Sequence, residues 1–173
     1  MNADRTEIRK ENTADHSSVY EVVRSAFESN TQAELVTLLR ESADPSISLV
    51  ALIADEIVGH IFFSPVTFEK DTGKSAAQLS PVAVDPVHQG RGIGSKLIRA
   101  GLEKCVTIGC SSVFLVGNPS YYSRFDFTPA VPLGFYVGGS LDVYLQVRKL
   151  YPDALKGLEG RIYFHPVFDS LEE

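Results

Sequence analysis

The chain contains no run of about 18 apolar residues, the length a membrane-spanning helix needs. Its opening, Met1-Asn2-Ala3-Asp4-Arg5, is polar with no apolar segment behind it, so neither an anchor nor a secretory signal is expected. Cysteine is scarce. Cys105 and Cys110 have no histidine near them in sequence, which is too few ligands for a zinc site and reads as a pair of free thiols. Positive charge is short as well, with 16 Lys and Arg against 22 Asp and Glu and a net charge of −6. Duplex nucleic acid is held by clustered basic side chains, so a general nucleic-acid partner is not expected. These absences together predict a soluble cytoplasmic protein with no membrane and no metal.

What is present is enough for one core. The 173 residues are 44% hydrophobic, and no repeat or low-complexity segment interrupts them, so residues 1–173 are expected to form a single domain. The chain is organised around residues 82 to 98, Val82-Ala83-Val84-Asp85-Pro86-Val87-His88-Gln89-Gly90-Arg91-Gly92-Ile93-Gly94-Ser95-Lys96-Leu97-Ile98. An apolar run meets a turn signal at Asp85-Pro86, crosses three alternating glycines and then takes up helical periodicity. Ile93, Leu97, Leu102, Cys105 and Val106 make the apolar stripe of that helix, with Gly109 as its stop.

The first amide groups of such a helix have no partner inside it, and the peptide dipoles leave partial positive charge there, so its start favours an anion. Glycines at 90, 92 and 94 let successive N–H groups curl around a phosphate. Arg91 is the best phosphate cation by position, and residues 88–104 carry Arg91, Lys96, Arg99 and Lys104 against Glu103 alone. Two nucleotide readings fit poorly. A G-x-G-x-x-G fingerprint would need glycine where Ser95 stands, and Gly94-Ser95-Lys96 has the wrong order for a Walker loop.

The segment resembles the pyrophosphate loop of the GNAT N-acetyltransferase superfamily, which reads Gln or Arg, two residues, Gly, one residue, then Gly or Ala. Gln89-Gly90-Arg91-Gly92-Ile93-Gly94 matches each place. The resemblance implies that amides of Gln89, Gly90, Arg91, Gly92, Ile93, Gly94 and Ser95 hold the pyrophosphate of acetyl-CoA. It also implies that the strand residues Val82, Ala83 and Val84 bond the pantetheine arm and polarise the thioester carbonyl. A second match follows in Tyr122-Ser123-Arg124-Phe125-Asp126-Phe127, which departs from the family only by Asp126 in a glycine place. An αL turn tolerates Asp, so the departure is mild. Tyr122 matches the family's proton donor to the departing thiolate, while Asn118 either bonds the cofactor arm or caps a turn.

Around this centre the chain reads as a short edge strand at 6–10 and a helix carrying Val19, Val22, Val23, Ala26 and Phe27, capped by Thr13 or Asp15. A second helix is expected to open on a Thr31–Glu34 capping box. A hairpin follows over 47–68 with Asp55-Glu56 at its turn, then a turn at 71–74 and a strand at 76–84. A strand at 112–116, reached through the helix, should lie parallel to 76–84. Further strands are expected at 135–137, 142–147 and 161–164, with a short helix at 153–156.

The predicted class is mixed α/β, and the resemblance makes it the GNAT fold: a mostly antiparallel sheet, helices on both faces, and a central parallel pair splayed at the cofactor site. The implied activity is transfer of an acetyl group from acetyl-CoA to a primary amine of a small molecule or protein, by direct attack in a ternary complex. The alternatives are a non-catalytic acyl-CoA-binding domain of the same fold and a nucleotide-phosphate binder. Glu69, Gln78, His60, His88 and ordered water are the candidates for removing the amine's proton. Residues near 27–31 and 135–139 are implied to select the acceptor, and a homodimer is the default assembly.

Overall fold

The computed structural model describes residues 5–70 and 72–171. Asp71, within the turn expected at 71–74, lies outside them. The sheet is built on strands that need cover on both faces. Along β2 (Ile47–Ile53), Leu49 and Ala51 point to one side, Val50 and Leu52 to the other, and all four are buried. On the first side lies α3 (Ile93–Thr107), through Ile93, Leu97, Ile98 and Leu102. The second side is covered by α1 (His16–Phe27) and α2 (Thr31–Ser42), through Val19, Val22, Val23, Ala33 and Val36.

The strands β1 (Thr6–Lys10), β2, β3 (Glu56–Phe68) and β4 (Ala76–Val84) are antiparallel neighbours in that order. Beside β4 lies β5 (Ser112–Val116), parallel as the helical crossover requires. The short helix α4 (Pro119–Tyr122) follows it. The far edge is β6 (Thr128–Pro129), which pairs with β8 (Leu145–Lys149), and β8 runs antiparallel to β5. Off this path, β7 (Phe135–Tyr136) is parallel to β9 (Gly160–Tyr163), which pairs with the end of β3.

The parallel pair is short. Ala76, Ala77 and Gln78 face Ser112, Val113 and Phe114, and there the register ends. β4 continues to Val84 with β3 on one edge only, while β5 stays paired with β8 through Val116. The divergence has a local cause. Ile61 faces Val82 and Phe63 faces Leu79, so Ser80 and Pro81 together oppose Phe62. This bulge bends β4 away, and Pro81 has no N–H to offer a neighbour.

α3 ends as its glycine predicts. The Cys110 N–H bonds to the Cys105 carbonyl at 3.0 Å and the Gly109 N–H to the Val106 carbonyl at 3.1 Å, with Gly109 at φ 87°. Four local expectations shift, the first being the short helix expected at 153–156, where the chain forms turns instead. The Thr31–Glu34 capping box does not form: the Ser29 hydroxyl accepts the Thr31 N–H, and the capping box sits instead at Asn12 and Asp15. The hairpin turn is Ala54-Asp55, both at positive φ, one residue before the expected pair. Residues 139–144 form a 3₁₀ turn instead of the start of a strand, because Asp142 Oδ1 accepts the Val137 and Gly138 N–H groups at 2.8 and 3.0 Å and curls the chain.

Where α3 crosses the sheet, a methyl group built on Gly101 would overlap the ring edge of Phe63, a side chain only 1% exposed. Gly101→Ala should therefore cost about 1–3 kcal/mol of stability, read as a lower urea midpoint at unchanged slope. A neutral result would show that the ring has room to move.

Candidate active site

The loop after β4 is shaped by backbone geometry more than by side chains. Gly90 and Gly92 lie at φ 78° and 79°, and a Cβ at either would meet nothing, so glycine is required there for conformation and not for space. Gly92 is the N-cap of α3, and the first helical bond runs from the Lys96 N–H to the Gly92 carbonyl at 3.1 Å. The Ile93, Gly94 and Ser95 N–H groups precede it and have no helical partner. Gly94 is different: a Cβ there would stand 3.7 Å from the Tyr121 hydroxyl and from Val84 Cγ2, inside a cleft.

That cleft, of about 540 Å³, is lined by Val82, Val84, Gln89, Gly90, Gly92, Ile93, Gly94 and Ser95, with His88, Tyr121 and Arg124 on the opposite side and rim. Eight of the residues expected at the cofactor site thus come together. The side chain of Ala83 packs under α1 instead, and its backbone is paired with His60 of β3, so the open edge of β4 is carried by Val82 and Val84. Gln89 acts through structure: its Nε2 donates to the Val84 carbonyl at 3.0 Å and ties the loop to the strand end. Arg91 is exposed and does not line the cleft.

The cation that does line it is Arg124, whose Nε donates to the Tyr121 carbonyl at 2.9 Å and whose guanidinium stacks 4.4 Å over the Tyr121 ring. The signal for Arg124 was its place two residues after Tyr122 in the aromatic motif. Asn118 caps α4, its Oδ1 accepting the Ser120 N–H at 3.0 Å and the Ser120 hydroxyl at 2.8 Å. It lines neither cleft. Asp126 takes the αL conformation at φ 64°, as the glycine place of the motif demands.

A second cleft, of about 750 Å³, opens on the other side of the splayed edge. Val82 lines both, and the adjacent rings of Tyr121 and Tyr122 divide them, perpendicular at 4.9 Å between centroids. Tyr122 is held by edge contacts with Phe127 at 6.0 Å and Tyr121, and its hydroxyl makes no hydrogen bond to another described residue. Burial, and secondarily Tyr121, raise its pKa above the ordinary 10.0, so it is a protonated hydroxyl at neutral pH. The second cleft takes Phe27 and Gln32 from the early helices, Val137 and Leu141 from the late turn, and Arg161, Phe164, Phe168 and Asp169 from the C-terminal segment. Of the segments implied to select the acceptor, 27–31 and 135–139 each contribute, while Arg161 and Asp169 were not anticipated.

A model of the GNAT acetyltransferase domain matches residues 7–130. The chain belongs to the GNAT acetyltransferase family. Among its relatives, the uncharacterized N-acetyltransferase YhbS of Escherichia coli is 32% identical over 165 residues, 94% of this chain and 98% of that protein. The uncharacterized N-acetyltransferase YjhQ of Escherichia coli is 40% identical over 119 residues, 67% of this chain and 66% of its own length. The crystal structure of YhbS in complex with CoA superposes with a TM-score of 0.90, covering 96% of this chain and 93% of that one at 31% identity. A GNAT acetyltransferase from Brucella melitensis in complex with acetyl-CoA gives a TM-score of 0.78 at 33% identity, covering 95% and 99%. The sheet with its splayed parallel pair is the GNAT fold.

Of the residues considered for proton removal, Gln78 reaches the second cleft, and His88 stands in the first with its Nδ1 3.6 Å from Asp85. Glu69 is turned to the backbone, accepting the Arg161 N–H at 3.1 Å. His60 lines neither cleft and belongs to a buried chain of polar groups. Arg40 binds Glu11 through two contacts of 3.0 and 2.8 Å, Ser48 donates to Glu11 at 3.0 Å, and His60 Nε2 lies 2.8 Å from Ser48 Oγ. Because the Ser48 proton goes to the carboxylate, Nε2 is the donor and Nδ1 is a lone pair with no partner.

Burial lowers the His60 pKa from 6.5 to about 4, outweighing the opposing pull of Glu11. The unfolded chain therefore binds a proton between pH 6.5 and 4 that the folded chain refuses. Stability from this group is present above pH 6.5 and is lost as the pH falls towards 4. His60→Gln should flatten the fall in denaturation midpoint over that window, and a slope identical to the parent's would place the ring's charge elsewhere.

Proposed function

We propose that the chain transfers an acetyl group from acetyl-CoA to a primary amine by direct attack in a ternary complex. The observation that carries this is the meeting of two clefts along one unpaired strand edge. One is walled by helix-start amides and fits a diphosphate; the other is larger, lined by polar and apolar groups alike, and open to an acceptor. The relatives solved with CoA and with acetyl-CoA support the same placement of the donor.

The residues divide the work. The amides of residues 90–95 and the Arg124 guanidinium neutralise the diphosphate. At the free edge of β4, the Val82 backbone and the Val84 N–H are open to the pantetheine amides and to the carbonyl under attack, whereas the Ala83 backbone is paired with β3 and the Val84 carbonyl holds Gln89. An alkyl ammonium has a pKa near ~10.4, so it must lose a proton before attack. Gln78 has no affinity for that proton, which passes to solvent in the open cleft. As the nitrogen–carbon bond forms and the carbon–sulfur bond breaks, Tyr122 gives its proton to the departing sulfur.

A thiol with pKa near ~8.5 is already a fair leaving group, so Tyr122→Phe should slow the chemical step by roughly 10²–10⁴-fold and no more. Thiol release under single-turnover conditions reads this, and an unchanged rate removes Tyr122 from the role. Gly92→Ala forces a side chain into φ 79° and should weaken CoA binding about 5- to 30-fold by calorimetry. CoA binding without thiol release for any amine offered would make the chain an acyl-CoA-binding domain instead.

A further inference from the structure

The walls of the wider cleft specify more than room for an amine. Its apolar wall is Phe27, Leu35, Leu141, Phe164 and Phe168, and among its polar groups Arg161 and Asp169 bring one charge of each sign. Neither forms an ion pair with a described residue. Arg161 is the better placed of the two. The Glu69 carboxylate beside it accepts the Arg161 backbone N–H at 3.1 Å and makes no ion pair with its guanidinium.

The guanidinium is seated on a prepared surface. It lies 5.2 Å over the Tyr163 ring and beside Gly138, where a Cβ would stand 3.7 Å from Nη1. The turn carrying Gly138 is itself fixed by Asp142, which accepts the Val137 and Gly138 N–H groups. A planar fork held between a ring and a turn, with its donors unmatched, is shaped for a paired-oxygen anion. At the splayed end of the same cleft, Gln78 is 4% exposed and its Oε1 has no partner. A buried amide so placed suits the polar end of a ligand.

Resting on the acetyl-transfer reading above, we infer that the acceptor is an amine that also carries an anionic oxygen group, a carboxylate or a phosphate, bound by Arg161. Its amine end points to Gln78 and Tyr122, and its apolar body lies along Phe164 and Phe168. Asp169 draws in the ammonium. In a chain of net charge −6, an unpaired guanidinium is what makes such an anion welcome.

The test compares matched amines with acetyl-CoA fixed at saturation: phenylalanine against phenethylamine, and phosphoethanolamine against ethanolamine. The expected result is that one anionic member has kcat/KM at least tenfold above its neutral counterpart, the winning pair telling carboxylate from phosphate. Arg161→Ala should remove about 10- to 100-fold of that preference through the amine KM, with the acetyl-CoA KM unchanged and Arg161→Lys intermediate. Calorimetry of the same four amines on the CoA-loaded protein reads the preference without turnover. Neutral amines binding and reacting as well as anionic ones, or a preference that survives Arg161→Ala, overturns the inference while leaving acetyl transfer standing. Failure of CoA to bind, or of any amine to release thiol, is instead the failure of the acetyl-transfer reading.

Discussion

The structure depends on a strand edge that has lost its neighbour. Backbone N–H and C=O groups in a sheet must be paired, and a strand inside a covered sheet normally finds partners on both sides. β4 finds them on both sides only as far as Gln78, and from there to Val84 it is paired with β3 alone. The clefts, the loop amides and the tyrosine pair are all disposed around that edge. A ligand whose own amides can complete the ladder is the natural complement of an edge buried between two clefts.

Keeping the edge open takes opposing constraints. β5 is held on its other edge, where all five of its residues are registered against β8. β4 cannot follow β5 because the bulge at Ser80 and Pro81 turns it, and because α3 holds its far side through Leu79 packed with Leu97 and Leu102. The splay lets both strands keep their antiparallel partners in full.

Much of this was legible in the sequence, for a physical reason. The loop from Gln89 to Ser95 and the helix behind it are local features, fixed by positive-φ glycines and by a stripe of apolar residues at helical spacing. Asp126 was legible in the same way, since its conformation is a property of its own backbone. The second cleft was hardly legible, because its walls come from residues as far apart as Phe27, Val137 and Asp169. Arg91 and Arg124 show the limit of the two motifs. Each motif carries an arginine, but only the one stacked on Tyr121 lines the cleft, and stacking is a tertiary fact.

The two clefts differ in how much sequence freedom they tolerate. The first cleft is walled largely by main-chain groups, so a substitution there is limited by φ and by the space beside Tyr121 and Val84, and at Gly90 and Gly92 few residues other than glycine comply. The second cleft is walled by side chains from the early helices, the sheet and the C-terminal segment. The loop and tyrosine motifs therefore speak to the first cleft, and what the second accepts has to be read from its own charges and shapes, Arg161 first among them.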